Sequence, residues 1–101
     1  MKYKIIGVFD RRLRIYYPFQ CTNDVEDEDL IESHRRAVLT GKMTPDLVEF
    51  GELYYFGKFD DETGETFVEA KPKYLVSFAD FLPRKEEVKK DGEGTVETQT
   101  N

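Results

Sequence analysis

Apolar and polar side chains alternate near the start of the chain with the period of two that is typical of β-strands. The alternation runs over Tyr3–Phe9 and again over Leu13–Phe19, with a tight turn predicted at Asp10–Arg12 between them. Pro18 has no amide hydrogen to donate, so we expect the second strand to end there or to lie at a sheet edge. Together the two segments predict an N-terminal β-hairpin.

The pattern then changes to a helical period. Apolar residues three or four positions apart follow an acidic run and predict a helix over about Val25–Thr40. Asn23 or Asp24 is the expected N-cap, and the acidic run suits the positive end of the helix dipole. Gly41 is predicted to end this helix. One further helical turn is predicted over Pro45–Glu49, because proline is favoured at the first helical position.

A second hairpin is predicted after these helices. The strongest strand pattern, Glu52–Phe59, carries aromatic residues on both faces, which favours a central strand. Asp60–Glu65 has the short polar residues and the glycine of a turn. A short returning strand over Thr66–Glu69 should be interrupted by Pro72. The remaining predicted elements are a strand, a cap and a short helix: Lys73–Val76, Ser77 and Phe78–Leu82.

The order of these elements predicts an α+β fold. A small antiparallel sheet, made of an N-terminal hairpin and a second hairpin, would carry one long helix packed on one face. The chain has 101 residues, of which 39% are hydrophobic, and this suits one core. We therefore predict a single domain over residues 1–83. Residues 84–101 contain few apolar side chains and are predicted to form a disordered charged tail.

Composition narrows the classes of function. No apolar segment approaches the roughly 20 residues that span a bilayer, and the N-terminus lacks the apolar stretch of a secretory signal. We therefore expect an intracellular protein without membrane contact. A single cysteine and a single histidine argue against an intramolecular disulfide and a structural zinc site. No Gly-rich phosphate loop is present, and no cofactor is expected.

Candidate catalytic and metal-binding residues have simpler structural interpretations. The carboxylates of Asp60–Glu65 could ligate a hard cation, but they lack the alternating spacing of a calcium loop, and a solvated turn explains them. Cys21 could be a nucleophile with His34 as its base, but nothing in the sequence places the two together. A buried thiol and a core or boundary histidine are predicted instead. We therefore predict a non-enzymatic protein with no catalytic residues and no metal site.

The formal net charge of −6 is spread unevenly along the chain. Residues 1–22 carry five cations against one acid, whereas residues 24–32 carry six acids and no cation. The acidic total argues against indiscriminate nucleic-acid binding, but a basic hairpin with exposed rings is typical of single-stranded binders. Ordinary edge charges over an aromatic core are the alternative interpretation. The residues predicted to bind nucleic acid are Lys2, Lys4, Arg11, Arg12, Arg14 and Tyr16.

A series of short motifs, in a fixed order, resembles a known family. The motifs are the Tyr3–Phe9 strand with Asp10-Arg11, then Pro18-Phe19, Asn23-Asp24 and Pro45-Asp46, and finally Leu53-Tyr54-x-x-Gly57-x-Phe59-Asp60-Asp61-x-Thr63-Gly64-Glu65. Over about Tyr3–Leu82 the chain resembles the small nonstructural protein of gokushovirus-type microviruses, which are phages with small circular single-stranded DNA genomes. The chain departs from the family in its charged tail and in the acidic run at the start of the helix.

The resemblance implies a function in viral DNA metabolism. It implies a protein of the host cell cytoplasm, outside the virion, that acts in genome replication or in the switch to packaging. Single-stranded DNA and viral replication or packaging proteins are the implied partners, and no catalytic residues are implied. A protein–protein adaptor that engages the replication initiator, the procapsid or a host factor is the alternative. Strand pairing into a homodimer is a further expectation.

Overall fold

An antiparallel sheet and helices on one side of it make up the fold, as the α+β prediction requires. The computed structural model describes residues 1–83, and the predicted tail lies outside these residues. The strands are β1 (Lys2–Asp10), β2 (Ile15–Tyr16), β3 (Gln20–Asn23), β4 (Gly51–Asp60) and β5 (Thr66–Ser77). The helices are α1 (Asp27–Leu39), α2 (Pro45–Phe50) and a 3₁₀ helix over Phe78–Phe81.

The sheet has β1 and β4 at its centre. β1 and β4 pair with each other. β5 pairs with the side of β4 that faces away from β1, and β2 and β3 both pair with the side of β1 that faces away from β4. Every pairing is antiparallel. β4 therefore lies between two strands, which confirms the central position predicted from its aromatic residues on both faces.

The predicted N-terminal hairpin is present, but its second strand is shorter than predicted, because of Leu13–Phe19 only Ile15–Tyr16 (β2) forms a strand that pairs with β1. A loop follows β1, and Arg14 lies in it with a left-handed φ of 60°. Its amide donates to the Asp10 carbonyl oxygen at 2.7 Å and closes the loop. Pairing with β1 is interrupted around Pro18, which has no N–H to donate, and β3 resumes it from Gln20. Arg14 is thus a loop residue and not part of a strand face shared with Tyr16.

Helix α1 begins later than predicted. Its N-cap is Glu26, whose side chain makes no capping hydrogen bond. The predicted caps, Asn23 and Asp24, are wrong because β3 continues to Asn23, which is paired with Tyr3. The chain can turn into the helix only after that pairing has ended.

The C-terminal half contains one confirmed prediction and two corrections. Helix α2 is the predicted turn, and Thr44 caps it with its side chain. β5 is one strand where two were predicted, because Pro72 lies in an irregular stretch where the register shifts between Tyr55 and Gly57 of β4. Ser77 precedes a 3₁₀ helix but makes no side-chain cap.

The core lies between the helices and one face of the sheet. Its buried residues come from β1, β4 and all three helices: Ile6, Leu30, Val38, Val48, Leu53 and Phe78. Neighbouring residues of a strand alternate between faces, so Phe9 and Tyr54 lie on the opposite side of the sheet. Since α1, α2 and the 3₁₀ helix all contribute to this core, they leave that opposite face uncovered within residues 1–83.

Candidate nucleic-acid interface

The uncovered face of the sheet carries a connected group of rings. Tyr74 contacts Tyr54 at 5.8 Å between centroids, and Tyr54 contacts Tyr16 at 5.5 Å. Phe56 lies 5.6 Å from Tyr16 and 4.5 Å from Phe19. The geometries are tilted or edge-to-face, which is the favourable arrangement for aromatic pairs. We call the aromatic face the set Phe9, Tyr16, Phe19, Tyr54, Phe56 and Tyr74.

Strand register and one glycine assemble this face. Tyr54 of β4 is paired with Gly7 of β1 on one side and with Tyr74 of β5 on the other. Paired residues project to the same face, so the two tyrosines are neighbours. Gly7 leaves room for a ring, because a Cβ at this position would lie 2.7 Å from the Phe56 ring. The missing side chain thus allows the Phe56 ring to pack closely against β1.

The inner and outer rings differ in exposure. Phe56 is only 8% exposed, whereas Tyr16, Phe19 and Tyr74 are 44%, 63% and 49% exposed. Burial raises the pKa of Tyr54 above its ordinary value. The inner rings form a packed base, and the three outer rings present aromatic surface to solvent.

Lys4 lies on the helix side of the sheet and not on the aromatic face. It is 8% exposed, and its ammonium donates to an Asp27 carboxylate oxygen at 2.8 Å. Lys73 donates to the other oxygen at 3.1 Å. The hydrogen bond from Lys4 and then that from Lys73 hold the pKa of Asp27 below its ordinary value. A buried, ion-paired lysine is not available to phosphate, so we remove Lys4 from the predicted set.

Two of the predicted arginines are engaged within the protein. The Arg12 guanidinium lies 3.3 Å from Asp46 and 4.8 Å from the centre of the Phe50 ring. Arg11 lies 3.5 Å from the Glu52 carboxylate. Both guanidinium groups are therefore partly engaged within the protein, although their side chains are 47% and 41% exposed.

Arg14 and Lys2 have no carboxylate partner within residues 1–83, but they lie far apart in the fold. Arg14 belongs to the loop directly before β2 and is therefore close in the chain to Tyr16. Lys2 begins β1 and lies two residues before Lys4. Because every second residue of a strand shares a face, Lys2 projects to the helix side like Lys4. Of the predicted set, only Tyr16 belongs to the aromatic face, and Arg14 lies two residues before it in the chain.

Phe19, Tyr54 and Tyr74 belong to the candidate site, although they are missing from the sequence prediction. Alternation along β4 does place Tyr54 and Phe56 on one face, so a signal for these two was present. The position of Tyr74 depends on the register of β5 across its irregular stretch, which periodicity within one strand does not contain.

The candidate catalytic pair lies on opposite sides of the sheet. Cys21, predicted to be buried, is exposed on β3 and is paired with Ile5 on the aromatic side. His34 lies on α1, with Nδ1 2.9 Å from the Leu30 carbonyl oxygen and its ring stacked on Phe78. The fold therefore does not bring this nucleophile and this base together.

The acidic residues between β4 and β5 form the predicted turn. The Asp60 carboxylate accepts from the Glu62 amide at 2.9 Å, and the Gly64 amide donates to the Asp60 carbonyl oxygen at 2.8 Å. Gly64 has a φ of 77°, which favours glycine. The amino group of Met1 donates to Asp61 at 2.6 Å. These contacts give the acidic side chains a role in the turn itself.

Identity receives no support from other proteins. No family model matches the chain, and no curated protein or solved structure matches it either. The resemblance to gokushovirus nonstructural proteins therefore stays a prediction. Within residues 1–83, no helix is both long enough and apolar enough to cross a membrane. The functional proposal consequently depends on the aromatic face.

Proposed function

We propose that the protein is a non-enzymatic single-stranded DNA-binding protein that stacks bases on its aromatic face. The observation that supports this most directly is the exposure of Tyr16, Phe19 and Tyr74, at 44–63%, on a sheet face that no described helix covers. Stacking of a base on such a ring contributes about 1–3 kcal/mol. The three rings lie on β2, on the segment before β3 and on β5, and offer successive platforms across the sheet.

Electrostatic attraction has a secondary role in this proposal. Arg14, adjacent to β2, is the cation best placed to contact a phosphate beside Tyr16. Arg11 and Arg12 are paired with carboxylates, and the chain carries a net charge of −6. Affinity would come mainly from stacking and only slightly from phosphate contacts.

The biological role that we propose follows from the family resemblance. The protein would act in the cytoplasm of an infected host cell, outside the virion, on the single-stranded genome of a microvirus. It would assist genome replication or the switch to packaging, together with viral replication or packaging proteins. Binding of single strands by stacking suits both steps, because each involves an unpaired genome.

Fluorescence anisotropy with a labelled oligodeoxythymidine at low salt tests this proposal. We expect Tyr16→Ala and Phe19→Ala each to weaken binding by about 5- to 140-fold, the equivalent of one lost stacking contact. Phe67→Ala is a matched control, because Phe67 is 59% exposed on β5. Phe67 is paired with Lys58, and Lys58 is paired with Lys4. Paired residues share a face, so Phe67 lies on the helix side of the sheet. No binding, or equal losses in the Phe19 and Phe67 variants, would overturn the proposal.

An adaptor for another protein is the second candidate function. Within residues 1–83 the outer edge of β5 pairs with no strand, and it carries Phe67 and Val68 at 59% and 61% exposure. An open edge with apolar side chains can accept a strand from a partner. A pull-down from infected cells after nuclease treatment separates the two functions, because an adaptor would retain its partner and lose it on Phe67→Ala.

A further inference from the structure

A second concave surface lies on the helix side of the sheet. It is a cleft of about 690 Å³, within the size range of small-ligand sites. The core residues Ile6, Leu53 and Phe78, which are at most 4% exposed, lie at its apolar base. The cleft opens between the interrupted sheet edge, where β2 and β3 pair with β1, and the two α-helices. Tyr17, Pro18 and Gln20 line it from the sheet edge. Ser33, His34 and Ala37 line it from α1.

His34 and Gln20 give the cleft specific hydrogen-bonding groups. The Nδ1 atom of His34 lies 2.9 Å from the Leu30 carbonyl oxygen, which can only accept, so Nδ1 carries the hydrogen. In the neutral ring, Nε2 is then an acceptor, and it has no partner within residues 1–83. The Gln20 carboxamide also has no partner there and offers both a donor and an acceptor. A ligand with ring N–H or amino groups and ring acceptors would satisfy both side chains.

The charges around the cleft favour a neutral ligand. Arg12 and Asp46 both line it, and they are paired with each other at 3.3 Å. The half-buried His34 ring is held nearly parallel to the fully buried Phe78, 5.8 Å away, and offers the cleft a flat surface that suits a flat ring. A nucleobase combines this flat shape with the required donors and acceptors, whereas a lipid chain would leave His34 and Gln20 without partners.

A single segment separates the cleft from the aromatic face. Tyr17 lines the cleft and donates to Asp10 at 2.7 Å, and Phe19 packs on Phe56 of the aromatic face. Pro18 lies between them at the sheet edge, where β1 pairing is interrupted. We propose that the cleft binds one nucleobase of a DNA strand whose neighbouring bases stack on the aromatic face. This inference is based on the proposed function, which supplies the strand.

Titration of the ¹⁵N-labelled full chain with each deoxynucleoside monophosphate, followed by NMR, tests the inference. We expect at least one nucleotide to shift the amide resonances of Gln20, His34 and Ala37. Ala37→Phe fills the cleft and should abolish these shifts and weaken oligonucleotide binding several-fold. Thr63→Phe, which adds the same ring at an exposed position of the turn between β4 and β5, should do neither. Gln20→Met removes the side-chain carboxamide from the cleft at an exposed position, where folding tolerates the change. This variant tests the same site if Ala37→Phe fails to fold.

The outcomes separate the two proposals. Oligonucleotide binding that depends on Phe19, with no nucleotide shifting Gln20 or His34, would overturn the cleft site and leave the proposed function standing. Nucleotide-induced shifts in a chain that binds no oligonucleotide would overturn the proposed function and support the cleft as a mononucleotide site. Equal effects of Ala37→Phe and Thr63→Phe on oligonucleotide binding would also contradict the cleft site.

Discussion

Arg14 occupies a backbone conformation that costs a non-glycine residue about 1–2 kcal/mol. Its φ is 60°, and its side chain is exposed beside β2. We expect Arg14→Gly to leave the free energy of unfolding unchanged or to raise it by up to about 1 kcal/mol, since glycine relieves the strain but loses more chain entropy on folding. The same substitution should weaken single-stranded DNA binding, because it removes the cation closest to Tyr16 in the chain. Urea unfolding and anisotropy measure the two effects.

Lys42→Ala is the control for this experiment, because Lys42 is an exposed lysine in the connection after α1. It should leave the affinity for DNA unchanged. If Arg14→Gly and Lys42→Ala bind DNA as tightly as the wild type, Arg14 has no role in binding.

Asp10 makes the stability of the fold sensitive to acid. Its buried carboxylate accepts from the Tyr17 hydroxyl at 2.7 Å and from the amides of Arg12 and Leu13 at 2.9 and 3.0 Å. These hydrogen bonds, that of Tyr17 first, lower the pKa of Asp10 below its ordinary 3.8. A carboxyl group whose pKa is lowered by folding stabilises the native state fully above its unfolded pKa, and this contribution is lost as the pH falls through the folded pKa.

We therefore expect the urea midpoint of the wild type to fall as the pH is lowered below about 4. Asp10→Asn should have a lower midpoint at neutral pH and a shallower decline in acid. Parallel pH profiles for the two proteins would show that Asp10 does not contribute to this sensitivity.

Lys4 shows that the sequence predicts the face on which a residue lies but not the partner that it contacts. Alternation places Lys4 in one row with Ile6 and Val8, and this row faces the helices. The sequence therefore contained a sign that Lys4 would need a partner. It did not contain the identity of that partner, because Asp27 lies 23 positions away and reaches Lys4 only through the packing of α1 on the sheet.

At the scale of elements, long periodic segments and the break at Pro18 could be predicted, whereas strand pairing could not. α1 and β4 were recognised because their patterns extend over many residues. The break was expected because Pro18 has no amide hydrogen, but the resumed pairing at Gln20 and the continuity of β5 through Pro72 depend on neighbouring strands. Tyr74 joins the aromatic face through the same pairing, so the candidate site was only partly predictable.

The close contact between β4 and β5 depends on Gly57. A Cβ at Gly57 would collide with the backbone carbonyl oxygen of Phe67, which cannot move without disturbing the strand. We expect Gly57→Ala to lower the free energy of unfolding by about 1–3 kcal/mol. Gly64→Ala should cost less, about 1 kcal/mol, because Gly64 requires a positive φ but faces open space. Thermal or urea unfolding of both variants measures this order, and the reverse order would contradict the described pairing.

At the scale of the whole molecule, the acidic charge predicts an unusually weak salt dependence for the proposed binding of DNA. Each phosphate contact with single-stranded DNA contributes about −0.7 to the slope of log affinity against log salt concentration. With Arg14 as the main available cation beside the aromatic face, we expect a slope of about −1 between roughly 50 and 200 mM salt. A slope steeper than about −3 would show that the paired arginines or other cations carry the binding.

The central claim is that single-stranded DNA lies on the aromatic face, and photo-cross-linking tests it most directly. An oligodeoxythymidine containing 5-iododeoxyuridine is bound to the full chain, irradiated, and the cross-linked residues are identified by mass spectrometry. We predict cross-links to Tyr16, Phe19 and Tyr74, the exposed rings of that face. Cross-links confined to the helix side, for example to Phe67, or no cross-links above an unrelated control protein, would contradict the account.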